Sequence, residues 1–156
     1  GEPMLGIRTE VGALAAVALI TPPDSCDPPD ALLTLRERTW SELGGDARDR
    51  YDDLVQAWGR SPGTGRRHHL NMIGVRRRYQ RAGLARALLE ASIALAAADA
   101  TSVGLDLTTE SQENLDVYTR FGFAVLRQER VAPDLQTWTL FRAVQRRAPT
   151  PGSVGR

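Results

Sequence analysis

The sequence predicts a single α/β domain, a mixed sheet with helices on its faces, on three observations. Its periodic segments run strand, strand, two helices, strand, helix, strand, helix, strand, strand, with no internal repeat. Its 156 residues suffice for one hydrophobic core and are too few for two cores and a linker. An apolar content of 42%, with 25% charged residues and a net charge of +1, is ordinary globular composition.

Residues 4–10 and 13–21 predict a hairpin turning at Val11-Gly12, its second strand an apolar run bounded by Pro22-Pro23. After a polar, proline-rich stretch, Asp30 is in position to cap a helix over 31–40, with Leu32, Leu35, Thr39 and Leu43 on one face. Asp46 can cap a second helix, in which Tyr51, Leu54, Val55 and Trp58 share a face and which Gly59 and Pro62-Gly63 stop. Residues 68–75 predict a strand and 76–80 a polar turn. Residues 84–98 predict a helix with Leu84, Ala87, Leu88, Ala91 and Leu95 along its apolar side. A strand over 102–109, a short helix over 111–120 and strands over 124–131 and 135–144 complete a domain ending near residue 145. The arginine-, proline- and glycine-rich residues 146–156 predict a disordered tail.

Composition removes several kinds of chemistry. All 20 basic residues are arginine, so Schiff-base catalysis, a phosphate-loop lysine and a lysine base are excluded. The near-neutral charge argues against wholesale nucleic-acid binding, although an RNA-binding use of the arginine turn stays open. The apolar run 13–20 falls short of the roughly 20 residues of a membrane span, and no basic segment precedes it as in a signal peptide. Cys26 is the only cysteine, so no internal disulfide or multi-cysteine metal site forms, which fits a reducing, cytoplasmic setting. Adjacent His68 and His69 point to opposite faces of a strand and cannot chelate one ion, so no metal is expected.

The most informative segment, Val75-Arg76-Arg77-Arg78-Tyr79-Gln80-Arg81-Ala82-Gly83-Leu84-Ala85, is a strand end, a turn and the opening of a long helix. Free N–H groups and the helix dipole make such a turn an anion site, most naturally for phosphate, and four arginines add charge. Gly83 leaves the main chain approachable, and Ala85 lets the first helical turn pack close to the sheet. The segment matches neither the dinucleotide-binding glycine fingerprint nor a phosphate loop ending in lysine. Farther on, Asn114 and Tyr118 are four apart, so a helix puts an amide and a phenol on one side, and Phe121-Gly122-Phe123 follows.

Here the chain resembles the Gcn5-related N-acetyltransferase (GNAT) superfamily. Gln80, Gly83 and Ala85 fit its signature of glutamine or arginine, two residues, glycine, one residue, glycine or alanine, and Tyr118 with Gly122-Phe123 fits its later tyrosine helix. Within the superfamily it looks most like the puromycin N-acetyltransferase branch. That likeness rests on the strand ending Thr21-Pro22-Pro23-Asp24-Ser25, the helices inserted before the motif strand, Ile73-Gly74-Val75, Arg120-Phe121-Gly122-Phe123 and Thr137-Trp138. The resemblance implies a mixed, mostly antiparallel twisted sheet with helices on both faces. The strand and helices that usually precede the hairpin are not seen between Gly1 and Met4, which implies a fragment or a minimal domain. Arginine and alanine occupy positions 81, 82 and 85, where the family often has glycine.

The resemblance further implies that the main chain of Gln80, Arg81, Ala82, Gly83, Leu84 and Ala85 binds the pyrophosphate of acetyl-CoA. The strand ending Ile73-Gly74-Val75 would line the pantetheine arm, Asn114 would touch the cofactor, and Tyr118 would protonate the departing thiolate. The acceptor is expected to be a small-molecule amine such as an antibiotic, amino acid or polyamine. A protein amine and a non-catalytic acyl-CoA-binding role are the alternatives. Asp106 and Glu110, at and beyond the end of a strand near the cleft, are base candidates, and one of His68 and His69 faces the acceptor according to register. Each has a plain alternative: a helix-cap carboxylate, an arginine ion pair, a packed imidazole. Trp40, Trp58 and Trp138 are expected to be packing anchors. Exposed sheet edges make a homodimer a reasonable expectation.

Overall fold

A computed structural model describes residues 3–59 and 64–144, so Pro62-Gly63 and the tail over 146–156 lie outside the described residues. Strands β1 (Met4–Arg8), β2 (Leu14–Thr21), β3 (Arg66–Val75), β4 (Ser102–Thr109), β5 (Ala124–Ala132) and β6 (Leu135–Ala143) form one sheet in the order β1-β2-β3-β4-β6-β5. Every pairing is antiparallel except β3 with β4, which the helix α3 (Leu84–Ala98) joins. Helices α1 (Asp30–Leu43) and α2 (Gly45–Trp58) connect β2 to β3, and α4 (Gln112–Arg120) connects β4 to β5.

One sheet face makes the core. Ala16, Ala18 and Ile20 of β2, Leu70 of β3, Leu105 and Leu107 of β4, and Trp138 and Leu140 of β6 are buried there. The two alanines leave room for α3 to lie close. Its buried stripe is Leu88, Leu89, Ser92 and Ala96, while Ala87 and Ala91, expected on the packed side, are exposed. In a helix apolar nearly all round, periodicity does not choose the stripe. The bulky Leu88-Leu89 pair fills the space above the alanines, and the Ser92 hydroxyl donates to the Leu88 carbonyl at 2.8 Å.

The α1–α2 pair differs from expectation. Pro29, not Asp30, holds the first cap position, and Gly44 holds the second. Neither supplies a side-chain cap, and Asp30 and Asp46 lie inside the first turns. Neither helix buries a residue, and Leu32, Leu35 and Leu43 are 55%, 52% and 60% exposed. The pair is joined by Trp40 against Tyr51 and Tyr51 against Trp58, with centroids 4.9 and 6.3 Å apart, and by Arg48 to Glu37 at 2.9 Å. Its far end rests on the face opposite α3, where the Arg127 guanidinium of β5 donates to the carbonyls of Ala57 and Trp58.

Candidate active site

The site begins where the sheet splits. β3 and β4 are paired from Arg66↔Ser102 to Leu70↔Leu107 and no farther. Beyond that rung β3 stays with β2, from Met72↔Leu19 to Val75↔Ala16, and β4 stays with β6 through Thr109↔Trp138. A bulge at Asn71, the residue left over between Leu70↔Ile20 and Met72↔Leu19, turns β3 away, and the Asn71 amide donates to the Thr21 hydroxyl. The β3 edge over 71–75 therefore faces a gap and not a strand, and its outward main-chain groups are left to a ligand. Neither bulge nor split has a signal in the sequence, because both depend on pairing between distant segments.

The gap opens into a cleft of about 710 Å³, a usual size for a small-ligand site. Ile73 and Val75 wall one side. Gln80, Arg81, Gly83, Leu84 and Ala85 form its head, and Glu110, Asn114 and Tyr118 close the other side. Two residues assigned from sequence are not among the lining. Gly74 takes the opposite pleat, against Val17, and Ala82 sits exposed in the turn. Asp106 does not line the cleft either: it is buried in the paired part of β4, bonded to His69.

After a 3₁₀ turn over Arg77–Tyr79, the Gln80 amide donates back to the Val75 carbonyl at 3.4 Å. Gly83 precedes α3 in the left-handed conformation, φ 78°, and a Cβ there would meet nothing within 4 Å. Glycine is thus required by backbone angle, and the space above it is open to a ligand. Arg81 is also left-handed, φ 65°, the single such non-glycine among the described residues. At that angle arginine bears a strain of about 1–2 kcal/mol. The first α3 amide to find a carbonyl is that of Ala87, on Gly83 at 3.0 Å. The earlier amides point into the head of the cleft with the positive end of the helix dipole. A neighbouring hollow of about 600 Å³, sharing Arg86, Val117 and Phe121 with the cleft, adds Arg120, Arg142 and Glu90, the last 3.8 Å from the Arg86 guanidinium. The head thus suits a polyphosphate.

Tyr118 is 9% exposed and meets Phe123 edge-on, with centroids 5.8 Å apart. Burial raises its phenol above the ordinary 10.0, so the proton stays in place at neutral pH. Glu110 follows β4 directly. Its Oε1 accepts from the Trp58 indole N–H at 2.8 Å and from the Thr137 hydroxyl at 2.9 Å. Trp58, expected only to pack, thus also orients a cleft carboxylate, and no short-range pattern links it to Glu110.

The description of an acetyltransferase (GNAT) domain matches residues 57–137, just over half of the chain. The chain belongs to the GNAT acetyltransferase family. No curated protein matches its sequence. Among solved structures, a GNAT-family acetyltransferase from Streptococcus pneumoniae aligns with a TM-score of 0.57 at 17% identity, covering 92% of this chain and 67% of that one. A protein assigned to the GNAT family from Desulfovibrio desulfuricans aligns at 0.60 and 16%, covering 93% and 71%. NAA60 of Arabidopsis thaliana in complex with acetyl-CoA aligns at 0.52 and 15%, covering 88% and 71%. At these identities the likeness is one of fold. It agrees with the mixed, mostly antiparallel sheet expected from the motifs.

Among the described residues no helix of this GNAT domain is long and apolar enough to cross a membrane. Within the same residues no group of three or more His, Cys, Asp or Glu is placed to hold a metal ion. His68 and His69 take opposite faces, as expected: His68 lies buried against the Ser102 hydroxyl at 3.2 Å, and His69 meets Asp106 at 2.7 Å.

Proposed function

We propose that this GNAT acetyltransferase moves an acetyl group from acetyl-CoA directly to a primary amine of a small molecule. The observation that carries the reading is one continuous cleft running from unpartnered amides, past an open strand edge, to a buried and protonated phenol. In this reading the turn over 81–85 and the nearby arginines hold the pyrophosphate, and the β3 edge over 71–75 receives the amide-bearing arm as an added strand would be received. The open space above Gly83 fits that ligand.

Tyr118 then gives its proton to sulfur as the C–S bond breaks. A thiol with reference pKa near 8.5 departs more readily when a phenol donates to it. A free N–H of the β3 edge polarises the thioester oxygen. Glu110, its Oε1 held by Trp58 and Thr137, offers Oε2 to the incoming ammonium. The likeness to the puromycin N-acetyltransferase branch in the residues named above supports a small acceptor.

Thiol release with acetyl-CoA and an aminonucleoside, amino acids, polyamines and a peptide tests the reading, with an acetyl-CoA thermal shift alongside. Release with a small amine is expected. Release with the peptide alone moves the acceptor to protein. A thermal shift with no release across the panel leaves a binding module in place of the enzyme.

A further inference from the structure

We propose that the chain forms a two-fold dimer in which α1 of each protomer lies on the bare half of its partner's sheet, over β1, β2 and β3. The surface lies outside the transfer reading and does not rest on it. One protomer leaves two apolar faces uncovered. The first is on α1, where Leu32, Leu35 and Leu43 are each more than half exposed. At about 100° per residue they fall on one face with Thr39, roughly a third of a turn round from Trp40 and Glu37, which meet α2. What joins α1 to the rest is therefore its other side.

The second is on the sheet. The end of α2 stands over β5 and β6 on the face opposite α3, where Thr137 and Thr139 are buried. Across β1, β2 and β3 the same face is bare. Met4 and Met72, 68% and 57% exposed, flank Leu19 in one row, and Gly6, Val17 and Gly74 form the next. The alternate residues Leu5, Ile7, Ile73 and Val75 point the other way, into the packing under α3. A Cβ on Gly74 would meet nothing within 4 Å, so the space above that row is open. Three strands about 4.8 Å apart make a shelf about 10 Å wide, the diameter of one helix.

A second copy of the chain is the occupant that fits both faces. The α1–α2 pair covers one half of the sheet and leaves the other half bare, so a two-fold axis brings each helix pair to the partner's bare half, and one contact made twice covers all four faces. The three leucines, the two methionines, Leu19 and Val17 present on the order of 500 Å² of apolar surface per protomer. At the roughly 60% apolar share of an interface that corresponds to about 800 Å² per partner, the standard size. Charge agrees: α1 and α2 carry seven acidic and four basic residues, and Asp46, Asp49 and Asp53, on one side of α2, have no ion pair among the described residues. Arg8 and Arg76, next after Gly6 and Gly74 on the shelf, are exposed and likewise in no ion pair among those residues. A 14-residue helix is marginal in water by itself, and the partner's shelf supplies α1 with the packing it lacks in one protomer. Met72 belongs to the shelf and to the lining of the cleft, so the partner's α1 stands at the cleft's rim. A contact of this size without a large apolar core holds at micromolar concentration; below it the chain is monomeric and the stripe adds little to folding.

The test is sedimentation velocity of the full chain from nanomolar to about 100 µM, for wild type, Leu35→Glu on the stripe and Met4→Arg on the shelf. Wild type is expected to pass from monomer to dimer mass as concentration rises. Each variant should weaken self-association by ~10²-fold or more while keeping the wild-type far-ultraviolet circular dichroism, because both side chains are exposed in the monomer. Mixed one to one, the two variants should pair again, since one of the two contacts then sets the new carboxylate against the new guanidinium and the other is wild type. The milder Leu32→Ala and Leu43→Ala should each weaken the dimer roughly tenfold, so the stripe is tested even where a charged variant fails to fold. A wild type that stays monomeric throughout overturns the proposal, as does association that neither stripe nor shelf variants change. Monomeric variants that fail to pair when mixed also overturn it, the result expected where α1 seats on a second α1.

Discussion

The two walls of the site are built in opposite ways. α3, which carries the phosphate turn, drives Leu88, Leu89, Ser92 and Ala96 into the core. The α1–α2 pair, which touches the cleft only through the Trp58–Glu110 bond, buries no residue and is fastened at its end by that bond and Arg127. Each buried leucine contributes about 1.5–3 kcal/mol, so the cofactor wall is held by the same packing that holds the fold. The α1–α2 pair depends on a few polar contacts. If the proposed function holds, the turn before α3 needs fixed amides whatever the acceptor, whereas a helix pair detached from the core can vary without endangering folding.

That contrast breaks first under truncation. Leu89→Ala should cost about 2–5 kcal/mol in chemical denaturation, against within about 0.5 kcal/mol for Leu35→Ala on the exposed face of α1; equal costs would erase the distinction. Removing the acceptor-side bond sharpens it. Trp58→Phe should raise the acceptor KM roughly fivefold, the about 1 kcal/mol of one partly solvated hydrogen bond, with acetyl-CoA affinity unchanged in steady-state kinetics.

The paired half of β3 titrates with the core. Burial holds the His68 imidazole below its ordinary 6.5, the opposing pull of Asp99 being the weaker influence. The folded state then binds fewer protons than the unfolded, so this contribution is full above about pH 6.5 and is lost as pH falls through the folded value. Denaturation midpoints should decline on acidification over that window, and His68→Gln should flatten the slope. An unchanged slope would take His68 out of the account. The smallest effect belongs to the turn: Arg81→Gly relieves left-handed strain and should raise stability by about 0.5 kcal/mol in thermal melts, while weakening acetyl-CoA binding by one phosphate-facing charge. A loss of stability would mean that the angle at 81 is not strained.

Legibility in the sequence follows the same division. The helix over 84–98 and the strand over 102–109 have the expected bounds, because periodicity, Gly83 and the polar turn are local signals. The turn and Tyr118 were readable for the same reason, each lying within a dozen consecutive residues. What escaped is non-local. The apolar face of Leu32, Leu35 and Leu43 predicted a helix correctly but named no partner, and the structure leaves it exposed. The Asn71 bulge, the split after Leu70↔Leu107 and the Trp58–Glu110 bond all arise from pairing between segments far apart in the chain. Asp106 was mistaken for a cleft residue because strand register, invisible in one sequence, decides which rung is paired and which is open.

The most direct test of the cleft as a transfer site is Tyr118→Phe, with acetyl-CoA affinity and single-turnover acetyl transfer measured on the same preparation. The account predicts unchanged affinity and a transfer rate lower by ~10²-fold, because the ring keeps its packing on Phe123 and loses only the proton. Equal losses of affinity and rate, or no loss of rate, would contradict it.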